Sequence, residues 1–320
     1  MSQGSWKKHL LRSGLPLEYE VAQAISQLGM SISADFSFMR REGNTDKESS
    51  VDLESFWYDQ PEPNFLLRLL IECKYRSPNK NLLFLSDPNE DFPPATLGGT
   101  LRNFDFACPF SIPLNSSVEL ENSFEIVYKG IEISDEGAYS SEFWHGIQQL
   151  RYGTPISIQN IIDNSIFGHP EDVIPTFFAR ILVTNAPIIV LNSGCKMSDI
   201  ESAKSIDDIS KRHDCVIFYS DYGPDYEDHF RRIFLRDAKR RLNESIDLKQ
   251  RLENMGKKID HFNDPVKIIQ SLQESERHIT MAISTQFFVV TLKGFESLIR
   301  RIQASCRDAF DGRAMPDKRG

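Results

Sequence analysis

Asp52, Glu72 and Lys74 are the residues of this sequence best suited to chemistry. Asp52 sits between Val51 and Leu53 in an apolar stretch, and Glu72 and Lys74 close the run Leu70-Ile71-Glu72-Cys73-Lys74. Side chains two apart on a strand share a face, so Glu72 and Lys74 point the same way. If the strands near 51 and 66 are antiparallel neighbours, Asp52 comes beside Glu72, and two carboxylates and an ammonium share one small site. Such a set suits phosphodiester hydrolysis. Two hard oxygen ligands recruit Mg²⁺, with Mn²⁺ able to substitute, and the ion keeps several waters while touching phosphate. The metal stabilises charge developing on the phosphate and lowers the pKa of a bound water. The lysine can orient that water, share in its deprotonation, or hold the scissile phosphate. The first helix can add a carboxylate from Glu18 or Glu20, and helical geometry does not choose between them.

The elements that must position these residues follow from periodicity. Leu17, Val21, Ala24, Ile25 and Leu28 recur at helical spacing over 15–29, with Pro16 in the first turn and Gly29 as a stop. Ile32, Ala34, Phe36 and Phe38 alternate as in a half-buried strand over 31–39. The polar segment 40–50, with Gly43 and Asn44, reads as a turn. Strands are expected at 51–58, at 65–75 as a nearly all-apolar central strand, and at 81–85. The proline-rich stretch 86–117 reads as an irregular connection or inserted loop. A strand or strand pair is expected over 125–133, interrupted at Gly130. A helix follows at 140–152. Two apolar runs within 174–191 flank the turn signal Thr184-Asn185-Ala186-Pro187. A short strand is expected at 215–219, charged helices from about 225, a last strand at 287–290, a helix over 293–310 and a frayed tail after Asp311. This order is mixed α/β.

Composition narrows the function classes. The chain has 320 residues, 37 Lys plus Arg against 46 Asp plus Glu, a net charge of −9, and 40% hydrophobic residues. That is a globular chain able to bury a full core. No run of about 18 apolar residues is present, so no membrane span is expected, and no secretory signal is expected in Met1 to Lys8. Five scattered cysteines argue against a disulfide framework or a Cys-x-x-Cys zinc site, and fit a reducing, cytoplasmic setting. The seven histidines show no zinc spacing, and no Gly-Lys-Ser/Thr phosphate loop is present. Net acidity excludes passive coating of nucleic acid but not a local basic groove. Within 229–258, ten basic residues stand against four acidic ones. That stretch reads either as a phosphate-tracking surface or as a solvated helix with mixed charge pairs.

The spacing Glu18, Asp52, Glu72-x-Lys74 resembles the PD-(D/E)xK nuclease superfamily, the restriction endonuclease-like fold, over residues 15 to about 153. Glu18 followed by Val21-Ala22, Ile25 and Gly29 is similar to the family's opening helix, and that match favours Glu18 over Glu20. The resemblance implies that Asp52 and Glu72 are metal ligands, that Lys74 is the catalytic lysine, and that Cys73 offers its backbone carbonyl. Gln148 and Tyr152 resemble the Gln-x-x-x-Tyr motif of RecB-like members, one helical turn apart and facing the substrate. Val51 stands where the superfamily's name has Pro, and the segment 86–117 has no counterpart. The resemblance further implies a nucleic-acid substrate, DNA rather than RNA, with roles in defence against foreign DNA or in repair. The expected architecture is a restriction endonuclease-like mixed central sheet flanked by helices over residues 1–224. A charged helical region, 225–320, packs on that core or completes it. A homodimer or a partner subunit is compatible with this picture. The rival from another class is a catalytically silent nuclease-fold scaffold or nucleic-acid-binding subunit.

Overall fold

The computed structural model describes residues 5–42, 45–59, 65–86, 100–104, 120, 122–139, 141–167, 174–256, 259, 264–274 and 284–314. Helices α1 (Ser5–Arg12) and α2 (Leu15–Gln27) lead into three antiparallel strands, β1 (Ser31–Glu42), β2 (Thr45–Tyr58) and β3 (Leu66–Lys74). Strands β4 (Asn81–Ser86), β5 (Leu101–Phe104), β6 (Glu125–Ser134) and β7 (Gly137–Tyr139) follow. A long helix, α3 (Ser141–Phe167), then crosses to β8 (Thr176–Thr184), which runs parallel to β3. After β9 (Ile188–Leu191), α4 (Met197–Ser202), β10 (Ser210–His213) and β11 (Cys215–Tyr219) come three helices. These are α5 (Pro224–Leu235), α6 (Ala238–Asn254) and α7 (Pro265–Gln273). The described chain closes with β12 (Gln286–Thr291) and α8 (Leu292–Ala314).

Among the described residues, twelve strands join one mixed sheet in the order β1-β2-β3-β8-β12-β11-β6-β4-β9-β10, with β5 on β8 and β7 on β6. β12 lies between β8 and β11, so the region after residue 224 supplies a central strand to the sheet of the region before it. The boundary expected at 224 thus runs between segments that share one sheet.

Each face of the sheet carries its own core. On β3, Leu67, Leu69, Ile71 and Cys73 face α2 and α8, while Leu70 faces α3. α2 buries Leu17, Val21 and Ile25 on the first face, and α8 buries Phe295, Leu298, Ile299, Ile302, Cys306 and Ala309 beside them. That spacing is a helical stripe, and the strands between are apolar on both sides because both sides are covered.

Three local readings change. The turn expected over 40–50 is mostly strand: β1 and β2 stay paired out to Glu42 and Thr45. Polar residues hide this because an exposed hairpin needs only backbone bonds, not an apolar face. The strand break expected at Gly130 is absent, because a side chain there would strike the Phe84 ring at 2.5 Å, and glycine instead lets β6 pass close to β4. The helix expected to stop at Tyr152 continues through Pro155 to Phe167. An interior proline costs about 3 kcal/mol. Burying Ile158, Ile161, Ile162 and Ile166 contributes about 2 kcal/mol each and outweighs it. Of the proline-rich segment, residues 101–104 form β5, and 86 ends β4; 87–99 and 105–119 lie outside the described residues. The tail after Asp311 continues as helix to Ala314, and 315–320 lie outside the described residues.

Candidate active site

The side-chain alternation of β2 breaks at Asp52. Val51 packs into the core under α3, yet Leu53, two residues on, packs into the core under α2. Directly across on β1, Asp35 has φ 55, in the left-handed region, and the pairing of β1 with β2 skips the step between Asp35 and Asp52. The ladder between β2 and β3 also ends here, at Leu53 opposite Ile71. Beyond that pair the strands fork, and side chains take over the backbone bonds. The Asp52 carboxylate accepts the Cys73 N–H at 2.7 Å, and the Asp52 N–H donates to Glu72 at 3.3 Å.

Glu72 is fully buried on the α3 side of the sheet. Burial pushes its carboxyl up to about 8; the Lys74 ammonium pulls down against this, and the Asp52 charge adds to it. Lys74 forms an ion pair with Glu72 and donates to the Gln149 side-chain carbonyl at 2.9 Å. Gln149 in turn donates to the Ser50 carbonyl at 2.8 Å, tying α3 to β2 across the lysine. Gly146 lets the helix come this close: a Cβ there would lie 2.9 Å from the Lys74 Cε. Past the lysine the chain is clamped by the turn after β8. Thr184 donates to the Lys74 carbonyl at 2.9 Å, and the Asn185 amide both accepts from and donates to the Arg76 backbone, at 2.6 and 2.7 Å.

Burial also raises the Asp52 carboxyl, opposed by the Cys73 N–H and by Lys74. Half-buried Glu18 is raised by burial, then by Asp52 and Asp35. Glu18 therefore stands close enough to Asp52 to feel its charge, whereas Glu20 is exposed and lines a separate groove with Lys293, Glu296 and Arg300 of α8. The Cys73 thiol points into the opposite core, where burial drives it far above the ordinary thiol range, so it is no nucleophile.

Of the two residues expected from α3, neither meets Lys74. The glutamine that does is Gln149, not Gln148. The face of α3 turned to β2 and β3 carries Gly146, Gln149 and Gly153, at spacings of three and four, and Gln148 is rotated off it by one residue step. Tyr152 is buried, and its hydroxyl donates to Asp225 at the start of α5. Its ring lies under the Arg40 guanidinium at 4.6 Å and against His229 at 4.9 Å. Gln149 and Asp35 were missed by sequence reasoning. Two adjacent glutamines cannot be told apart without the helix phase, and a positive φ at an Asp leaves no mark in a strand pattern.

Among the described residues, no group of three or more His, Cys, Asp and Glu side chains is disposed to hold a metal ion. The fork offers two carboxylates, all oxygen donors, raised by burial. That donor set fits a hard cation that keeps most of its water.

The fold is α/β, one large mixed sheet flanked by helices. No protein-family model, no curated protein and no solved structure matches this chain. Among the described residues no helix is long and apolar enough to cross a membrane.

Proposed function

We propose that this protein is a Mg²⁺-dependent nuclease of restriction endonuclease-like fold that hydrolyses phosphodiester bonds in DNA. The observation that carries this reading is the fork itself: Asp52 and Glu72 meet across two splayed strands, with Lys74 ion-paired to Glu72. The order of opening helix, antiparallel strands and crossover helix around that fork supports the resemblance stated for the sequence.

Asp52 and Glu72 would hold the metal, Mg²⁺ or Mn²⁺, which when bound supplies Lewis-acid stabilisation of the phosphate and a more acidic water. The residues do the rest. Buried carboxylates that repel one another favour a cation over a bare charged state. Lys74, fixed by Glu72 and Gln149, orients the attacking water or the scissile phosphate. Glu18 adds a third negative group at the edge of the site. Hydrolysis adds the water oxygen to phosphorus, and the leaving sugar oxygen departs with a proton.

A second reading is a catalytically silent nuclease-fold scaffold. Its supporting observation is that the Glu72 charge is already met by Lys74 and by the Asp52 N–H. The deciding experiment incubates plasmid and linear duplex DNA with Mg²⁺ or Mn²⁺, with and without EDTA. The nuclease reading expects nicking or degradation that EDTA abolishes. Intact DNA across both metals would leave the scaffold as the better account.

A further inference from the structure

Two more carboxylates stand near Asp52: its charge and that of Asp35 both bear on Glu18, and Asp35 also bears on Asp52. Cations stand over the α3 side. On β1, Phe36 and Phe38 pack toward α3, and Arg40 continues the same alternation. Its cross-strand partner is Lys47, so both side chains stand on that face of the hairpin. The hairpin is seated on α3 at its root: a Cβ at Gly153 would touch the Phe38 ring and Val51 at 3.2 Å. About two helical turns earlier on α3, the exposed His145 faces the same volume. Burial disfavours its imidazolium, Lys74, Arg40 and Lys47 disfavour it further, and Glu142 opposes them. Asp52 in turn feels His145. The hairpin therefore places Arg40 and Lys47 as cations over one side of the fork, and α3 adds the His145 imidazole as a hydrogen-bonding group.

A local positive field in a chain of net charge −9 is a place for an anion, not a general attraction to polyanions. The basic stretch on α5 and α6 is partly taken up in structural pairs. Arg241 is buried against Asp163, Lys249 pairs with Asp264, and Arg232 pairs with Asp228. Resting on the nuclease reading for the identity of the polymer, we infer that Arg40, Lys47 and His145 grip the phosphate backbone of a nucleic acid beside the Asp52–Glu72 fork. The strand then lies between the hairpin and the first half of α3, with one phosphate at the Asp52–Glu72 fork.

The test measures binding of a short fluorescent DNA duplex to the full chain in Ca²⁺ and in EDTA, over a series of salt concentrations, with cleavage in Mg²⁺ measured on the same proteins. The triple variant Arg40→Gln, Lys47→Gln, His145→Gln is compared with Lys239→Gln, Arg240→Gln on α6. Binding by the triple variant is expected to weaken about tenfold or more, with a log–log salt slope shallower by about 2, and the α6 variant is expected to match the wild type. Arg40 also covers the Tyr152 ring, so the double variant Lys47→Gln, His145→Gln serves if the triple variant fails to fold; its slope should fall by about 1. Wild-type binding and cleavage with unchanged binding in these variants would overturn the grip and leave the nuclease reading standing. Binding lost in the variants, from a wild type that cleaves nothing, would support the grip and overturn the nuclease reading. No binding by the wild type would overturn the grip.

Discussion

Asp52 and Glu72 each bond to the other's strand: the Asp52 N–H donates to the Glu72 carboxylate at 3.3 Å, and the Asp52 carboxylate accepts the Cys73 N–H at 2.7 Å. The fork is thus held open by the same two carboxylates proposed to hold the metal. A buried carboxyl pushed up to about 8 by burial is a stability cost kept for function. Glu72→Gln keeps the acceptor for the Asp52 N–H and removes the charge. It is expected to leave thermal stability at pH 8 unchanged or raised by about 1 kcal/mol, while metal-dependent cleavage falls by about a hundredfold or more. Chemical denaturation at pH 8 beside a cleavage assay checks both halves. A large loss of stability would show that the charge is structural.

Gln149 holds Lys74 to the Ser50 carbonyl, so it sets where the ammonium sits. Gln149→Ala is expected to lower kcat about tenfold with little change in KM, while Gln148→Ala stays near wild type. The adjacent pair is its own control, because both substitutions remove the same atoms from neighbouring positions on one helix. Equal effects would remove Gln149 from the site.

Gly146 sets the distance between α3 and β3. A methyl group there meets the Lys74 Cε and the Leu182 side chain, both at 2.9 Å. The end of a lysine can move, but Leu182 sits in the core, so Gly146→Ala is expected to cost about 1 to 3 kcal/mol of stability. It should also displace Lys74 and reduce cleavage beyond what the stability loss explains. Thermal melts and single-turnover rates below the melting range separate the two effects.

Asp264 caps α7, accepting the Val266 N–H at 3.0 Å, and pairs with Lys249 at 2.7 Å. Burial raises its carboxyl, but the Lys249 bond and the cap bonds together outweigh burial and hold it below the ordinary Asp value of 3.8. A folded-state pKa below the unfolded one means the unfolded chain binds more protons, so this contribution is present above about pH 4 and lost as pH falls through the folded value. Asp264→Ala is expected to cost about 1 to 2 kcal/mol at pH 7, and less as pH drops below 4. Denaturation at both pH values tests the sign.

The sequence carried the fork better than its surroundings. An Asp set between Val51 and Leu53 and an apolar run closed by Glu72 and Lys74 are local signals, and the antiparallel pairing that joins them needed only adjacent strands. What stayed hidden was set by distant parts of the chain. β12 enters the middle of the sheet from far along the sequence, because strand order depends on which edges are free when the chain folds back. The choice of Gln149 over Gln148 depends on the phase of α3 against β3. The length of that helix depends on isoleucines buried beyond a proline that local propensity treats as a stop. Asp35 shows itself only through its backbone angle and the fields it exerts on Glu18 and Asp52.

The most direct test of the central claim is cleavage of duplex DNA in Mg²⁺ or Mn²⁺ by the wild type, Lys74→Ala and Asp52→Asn, with folding of each checked by its melting curve. The account predicts cleavage by the wild type and a loss of about a thousandfold or more in each folded variant. Cleavage that is equal in all three proteins would contradict the site at the Asp52–Glu72 fork.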